Sequence, residues 1–518
     1  MNRRFALILT VILLSVFPGM IFAQAVQVNS PFSLGRSSST EVFLHFELPA
    51  FELVESQVKG ETLTRVKIEN TPYLFIDETE TLPVFSTLIA IPYAGGVSLQ
   101  TLSQTPATEY RARLDFDGLL KEESRNGKLY PEQGIQLSEP QILRDFRVVS
   151  LNVYPFQYDK TTGKLIVNRS MDIRLSFDAN PGLNEMNEPG AISQSFESIY
   201  RGMILNYDSL VNRETAYQAP RLLVIYGNFN DSIYLGKVNE YVAWKRQKGY
   251  IVNAVSTATT GTTTTTIKNY IQTQYDNVNT RPDYLVLIGD TSGNMPIVTF
   301  NTYQDYDYTL LAGNDNLGDV VIGRISVENT EQFTNYLAKL MSLEQNINTS
   351  TASWLNRMVL VGDTASSGIS TIYTNQYISD LATEVNPDYT YATEYSGSPS
   401  SANINTAINT GVAFYNYRGY IGMSGWPSTM SSMYNGSKLF HAVFITCNTG
   451  SFGGGTATTE SVVRYGTAAS LGGAITAIGM ATSSTHTPMN NCLNVGIFHN
   501  IYPQGGREMG TAMLNGKI

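Results

Sequence analysis

The sequence predicts a multidomain protein in which an N-terminal all-β, sandwich-like domain is followed by an α/β region of two consecutive units. That region should have mainly parallel sheets with helices on both faces. Three observations carry this reading. Between about residues 41 and 178, runs of β-branched and aromatic residues follow one another, separated by polar turns. Over residues 179–218 that rhythm is lost. Beyond 219, short apolar runs alternate with segments whose apolar residues recur at helical spacing, the pattern of strands buried under helices.

The chain opens MNRRFALILTVILLSVFPGMIFAQ. Two arginines, an apolar stretch and small residues around Ala23 stand in the order of a secretory signal peptide, so residues 1–23 are read as one, cleaved after Ala23. The apolar stretch is short for a membrane span and no later segment reads as one. The expected location is therefore secreted or cell-surface, with no membrane span after cleavage. Charged residues make up only 15% of the chain, and Thr, Asn, Ser, Gly and Tyr are abundant, as on the neutral polar surface of secreted β-rich proteins. A net charge of −10 without a basic run argues against nucleic acid as a partner. Two cysteines, Cys447 and Cys492, cannot make a disulfide framework for a chain of this size, although one bridge between them is an open alternative.

Residues 24–178 are read as the β-rich domain. VFLHFEL, TRVKIENTPYLFI, VFSTLIAIPY, YRARLDF, FRVVSLNVYPFQYD and KLIVNRSMDIRLSF are its strands. His45, in the first of them, is a structural histidine. Residues 179–218, rich in Pro, Gly, Asn, Ser and Glu, are read as a linker. The first α/β unit, 219–350, has strands RLLVIYG and IVNAVST and a third, YLVLIGD, ending at Asp290. Its helices are SIYLGKVNEYVAWKRQKGY and TTTTTIKNYIQTQYDNV, the second started by threonine caps. The second unit, 351–518, repeats the grammar: RMVLVGD ending at Asp363, a helix from about Tyr373 to Val385, then GVAFYNYRG, HAVFITC, a helix around ESVVRYGTAAS and the strand GAITAIG. The chain ends at GTAMLNGKI without an evident last strand, and a truncated C-terminus is expected.

In open α/β sheets, ligands bind beyond the carboxyl ends of the strands. Cys447 ends one such strand, Tyr420 ends its expected neighbour, and His486 follows GAITAIGM, so all three can meet at one rim. A thiol becomes a useful nucleophile when its thiolate is populated, which calls for a base or a positive environment. Backbone amides of the glycine-rich loop after Cys447 are oxyanion candidates. The competing reading is a buried strand-end cysteine.

Residues 219–518 resemble the gingipain family of cysteine peptidases, peptidase family C25. The matching pieces are YLVLIGD with Pro296, DYDYTLLAGNDNLGDVVIGRIS at 305–326, FYNYRG, FITC, and ESVVRYG leading into GGAITAIG. Upstream, LPVFSTLIAIP and LNVYPFQYDKTTGKLIV resemble the family's propeptide. The resemblance implies a caspase-like α/β fold and a zymogen acting on protein or peptide substrates, in which the protein's own N-terminal domain is a candidate inhibitor. It also implies that Cys447 is the nucleophile. Where such enzymes carry a Gly-His-Gly turn, this chain has Gly419, Tyr420 and Ile421, so Tyr420 stands at the position the resemblance gives to histidine.

His486 is then the candidate base, with a reference pKa near 6.5 suited to deprotonating a thiol and reprotonating a leaving amine. Tyr420, Gly419, Asn448 and Trp426 are the substrate or oxyanion candidates, Trp426 with core packing as its alternative. The chemistry requires no cofactor. Structural calcium is an expectation of the resemblance, with Asp305 and Asp315 as candidate ligands in an acidic loop that also holds Asp307 and Asp319. His441 and His499 are read as structural, His499 beyond a separate helix, and Asp290 and Asp363 as caps of the helices that follow them.

Overall fold

The alternation between residues 41 and 178 folds as antiparallel sheets around one apolar cluster, which includes Phe46, Ile89, Val149, Leu151, Phe156, Leu165 and Ile173. The computed structural model describes residues 30–58, 61–68, 75–76, 79–80, 82–114, 128–212, 214–347, 352–453, 455–483 and 485–518. The segment read as a signal peptide lies outside them, as does part of TRVKIENTPYLFI. Two expected strands are each divided. FRVVSLNVYPFQYD splits into Phe146–Val153 and Phe156–Asp159, because Pro155 has no N–H for the ladder. KLIVNRSMDIRLSF splits into Lys164–Val167 and Ser170–Asp178, which join different sheets. Among the described residues the β domain is consequently built from three four-stranded sheets and two-stranded hairpins rather than from two facing sheets.

The segment read as a linker is a packed joint. Ile192–Ser193 pairs in parallel with Tyr217–Gln218, and a helix spans Glu197–Met203. Phe196, Ile199, Tyr200, Ile204 and Tyr207 are buried against Leu143, Phe146 and Val148 of the β domain and Val321 and Leu514 of the α/β region. Their three- and four-residue spacing was overshadowed in the sequence by the Pro- and Gly-rich stretch before them. Each such buried side chain stabilises the joint by roughly 1.5–3 kcal/mol.

In the first α/β unit, β1 (Arg221–Tyr226), β2 (Ile251–Ser256), β3 (Tyr284–Ile288) and β4 (Val321–Ile325) form an all-parallel sheet of order β2-β1-β3-β4. The helices α1 (Ser232–Gln247) and α3 (Thr330–Asn346) bury Tyr234, Val238, Phe333 and Leu337 against one face. Helix α2 (Thr264–Asp276) buries Ile267, Ile271 and Tyr275 against the other. Thr263 caps α2 through a reciprocal box with Thr266, so the threonine run is a helix start.

The second unit has β5 (Arg357–Asp363), β6 (Thr390–Ser396), β7 (Phe414–Ile421), β8 (Phe440–Cys447) and β9 (Ala474–Gly479), all parallel, in the order β6-β5-β7-β8-β9. Helices α4 (Ser370–Val385) and α7 (Thr487–Ile501) cover one face, where Val443, Ile445, Ile497 and Phe498 meet. The other face is covered by α5 (Ser401–Thr410), the turn Trp426–Ser432 and α6 (Thr458–Arg464). Helix α8 (Met509–Lys517) packs along α7. Among the described residues no helix is long and apolar enough to cross a membrane.

Candidate active site

Strand periodicity decides what the rim of the second sheet presents. Along β7, Tyr415 and Tyr417 point to the Trp426 face, whereas Asn416 and Arg418 point to α7. Along β8, Phe440, Ala442 and Phe444 belong to the Trp426 cluster and Val443 and Ile445 to the α7 cluster. Cys447 continues the second series and is directed to the start of α7. Its Sγ lies 3.4 Å from Thr485 Oγ1, and that hydroxyl also accepts from Asn490 Nδ2 at 3.1 Å. The side chain of Cys447 is buried, at 3% exposure. Both cysteines are free thiols, so the alternative of a Cys447–Cys492 bridge does not hold.

The rim is closed by a bulge. The β7–β8 register is shifted between Arg418 and Ile421, so that Ile421 pairs with Cys447, and Gly422 N–H donates to the Cys447 carbonyl at 2.9 Å. Tyr420 therefore projects outward, 53% exposed. On the other face, Asp363 fastens this bulge. Its Oδ2 accepts from Tyr417 Oη at 2.6 Å and from Ser424 Oγ, while Oδ1 accepts from Ala365 N. Asp363 is thus a loop anchor and not the cap of α4, which begins after Ile369. Asp290 is likewise no helix cap; it accepts from Thr291 N, Ser326 Oγ and the Arg464 guanidinium. The carboxyl ends of the two sheets converge, since Thr291 Oγ1 donates to Phe452 O in the loop after Cys447.

His486 is the N-cap residue of α7, exposed and one position beyond the threonine that touches the thiol. The fold therefore brings its chain segment to Cys447. Three other candidates are placed differently from their expected roles. Trp426 is fully buried, its Nε1–H bonded to Asn405 Oδ1 at 3.0 Å and its ring packed on Tyr415 and Phe444, so it forms core and walls no pocket. Asn448 has φ 61, a left-handed conformation asparagine tolerates, and its N–H is bonded to Thr482 O at 3.2 Å, so that amide is not free for an oxyanion. Gly419 is buried, and its carbonyl accepts from Arg418. The candidate calcium ligands are occupied by protein partners. Asp305 holds Arg324 through both oxygens at 2.7 and 2.8 Å, and Asp315 accepts from Ile142 N and Leu317 N. Of the remaining histidines, His441 is half-buried with Nδ1 2.8 Å from Thr476 Oγ1, and desolvation lowers its pKa to about 4. His499 lies within α7, not beyond a helix. His45 pairs with Asp172 at 2.8 Å on the surface of the β domain.

Arg418 is the residue the sequence reading passed over. It is fully buried, with Nε–H donated to Asn491 Oδ1 at 2.8 Å, Nη1 to the carbonyls of Gly419 and Ile445, and Nη2 to Thr487 O at 3.2 Å. Burial pulls its pKa down to about 10, and the charge that opposes this is that of Cys447. The signal was present, since an arginine inside the apolar run FYNYRG of a strand buried on both faces has to be offset by something.

A family model described as peptidase family C25 matches residues 215–518, and one for the C25 propeptide matches residues 113–213. Gingipain R1 of Porphyromonas gingivalis is 27% identical over 342 residues, covering 63% of this chain and 34% of that protein. Lys-gingipain W83 of Porphyromonas gingivalis is 24% identical over 482 residues, covering 83% of this chain and 27% of that protein. The chain thus spans about a third or less of the length of these two relatives. Among solved structures, the Arg-specific cysteine proteinase gingipain R aligns over 57% of this chain and 71% of that one, with TM-score 0.50 and 21% identity, a likeness of fold.

Proposed function

The chain belongs to peptidase family C25, and from that premise we propose that it is a cysteine peptidase of gingipain type, secreted or held at the cell surface, whose nucleophile is Cys447. One observation carries the reading: a free thiol at the carboxyl end of a central strand of a parallel sheet, turned to the first residues of a helix and in contact with a hydroxyl. The thiolate attacks a peptide carbonyl, the amine leaves with a proton, and water hydrolyses the acyl-enzyme. His486 is the base and later the acid in this scheme, and Tyr420 meets substrate at the outer edge of the bulge. The β domain, through the propeptide match, is the inhibitor of its own enzyme. Its buried contact through Arg144 lies at Pro282, Asp283 and Asp319, just before β3 and β4, at the opposite end of the strands from their carboxyl rim.

A second reading has its own support. Tyr420 is exposed where the family resemblance expects a histidine, and a phenol offers a hydrogen-bond donor where an imidazole would offer a base. In that case the chain is a binding protein built on a peptidase fold. Peptide turnover and labelling by an acylating thiol-directed inhibitor distinguish the two, measured on the full chain and on its processed form. Activity abolished by Cys447→Ala and lowered about a hundredfold or more by His486→Ala supports the first. Equal labelling of the parent protein and both variants removes it.

A further inference from the structure

We propose that Arg418 is the fixed positive charge that holds Cys447 as a thiolate, which makes it a positioning residue for the nucleophile. The inference rests on the reading of Cys447 as that nucleophile.

The first support is the company Arg418 keeps. An isolated buried charge costs several kcal/mol. Among the described residues Lys339 is buried on the carbonyls of Val463 and Tyr465 alone, but at the other enclosed guanidinium groups the chain meets that cost with carboxylates. Arg144 lies 2.8 Å from Asp283, Arg324 lies 2.7 Å from Asp305 and Arg464 lies 3.0 Å from both Asp290 and Glu460. Arg147, bonded to the carbonyls of Leu183, Pro92 and Gly95, has the Glu185 charge beside it. The four acceptors of Arg418 are three backbone carbonyls and one amide oxygen. These satisfy hydrogen bonds, and among the described residues no carboxylate meets the charge.

The second support is placement. Arg418 pairs in register with Ile445, two residues before Cys447, and its Nη1 bonds the Ile445 carbonyl. Both side chains lie on the α7 face of the sheet. Arg418 also reaches Thr487 O in the first turn of α7, while Thr485, two residues earlier, touches the sulfur. The N-terminus of this 15-residue helix adds positive potential at the same point. Among the described residues of β7, β8 and α7, the other ionisable side chains toward this rim are Tyr420 at the end of β7, and His486 and Cys492 at the start of α7, while Arg324, paired with Asp305, packs on Phe452 in the loop after Cys447. Tyr417 of β7 and Asp363 of β5 face away, bonded to each other and to Ser424, and His441 and His499 lie at the far ends of β8 and α7. The segments 448–453 and 480–483 contain no ionisable side chain. Arg418 therefore supplies the fixed cation, and on ionisation the thiol proton passes to His486 or to water.

The test uses the full chain with Cys492→Ala. The ultraviolet absorbance of the Cys447 thiolate is followed against pH, with Cys447→Ala in the same background as the blank. Replacement Arg418→Met moves the midpoint upward by about one pH unit or more, and Arg418→Lys restores most of that shift. A midpoint unchanged in a folded Arg418→Met protein overturns the inference, as does an Arg418→Lys shift as large as that of Arg418→Met. Should Arg418→Met not fold, alkylation of the parent protein decides. A ratio of iodoacetate to iodoacetamide rates above that of free cysteine supports the fixed cation, and a ratio at or below it overturns it. Absence of peptide turnover with the expected midpoint shift defeats the peptidase reading alone, whereas turnover without the shift defeats this inference alone.

Discussion

Arg144 and Arg418 are both closed off from solvent, one at the joint between the β domain and the first α/β unit, the other at the rim of the second sheet. Around Arg144 the chain has gathered anions: Asp283 at 2.8 Å and Asp145 at 3.8 Å, with Phe196 and Tyr275 packed on the guanidinium. Its charge is stabilised, and its pKa is raised although burial opposes this. Around Arg418 there are only neutral acceptors, and its pKa falls to about 10. The same side chain, equally buried, is a structural tie in one place and an uncompensated charge in the other. The difference separates a region selected for cohesion from one whose charge is available to a reacting group.

The largest effect is expected where the tie is complete. Arg144→Met leaves Asp283 buried with three neutral donors, Ser193 Oγ, Gln218 Nε2 and Arg221 N. Breaking a buried pair from one side costs about 3–5 kcal/mol. The first unfolding transition in denaturant should move down accordingly, and the β domain should become sensitive to limited proteolysis before the second α/β unit. A loss below about 1 kcal/mol would remove Arg144 as the tie and with it this half of the comparison.

Much of this architecture was legible in the sequence because periodicity reports burial. The parallel strands ending at Ile288, Asp363 and Cys447 stand where their apolar runs stop, the first of them two residues short of Asp290, and the start of α2 was marked by its threonines. What escaped was whatever depends on which distant group a polar side chain meets. Nothing local tells that Trp426 would bond its N–H to Asn405, that Asp305 would hold Arg324, or that the amide of Asn448 would close a loop to Thr482. The joint at residues 192–210 was missed for a different reason, as its apolar residues lie beside a stretch dominated by Pro and Gly. Both arginines could have been flagged by burial arithmetic, but only the fold shows which of them has a carboxylate.

Asp319 sharpens the first region at intermediate magnitude. Its carbonyl accepts from Arg144, while its carboxyl accepts from Leu311 N and Ala312 N through Oδ2 and leaves Oδ1 without a partner. Burial, with Asp315 adding to it, raises this carboxyl to about 7. The folded state therefore keeps a proton that the unfolded chain gives up near the ordinary carboxylate value of 3.8. Stability from this group is fully present below pH 3.8 and falls as pH rises toward about 7. Asp319→Asn, which keeps an acceptor for the two N–H groups and removes the charge, should remove that slope. Its unfolding free energy relative to the parent should improve by about 2 kcal/mol on going from mildly acidic to mildly alkaline buffer. Parallel pH profiles would show that Asp319 does not titrate in the folded joint.

The smallest expected change in stability is the most diagnostic, because it gives the second region the chemistry of the first. Asn491 is buried in α7 and accepts from Arg418 Nε at 2.8 Å. Asn491→Asp keeps the shape and supplies the carboxylate that Arg418 lacks, near a helix N-terminus where negative charge is favourable. Desolvating the new carboxylate offsets most of the gain, so unfolding should shift upward by only about 1 kcal/mol. The guanidinium of Arg418 is then neutralised by the introduced carboxylate and stabilises the thiolate less. The Cys447 thiolate titration should move to higher pH, and alkylation near neutrality should slow. A purely structural Arg418 predicts the stability gain without the change at sulfur. Opposite movement of the two readouts, a firmer fold with a weaker nucleophile, is the outcome that requires the guanidinium to act on Cys447.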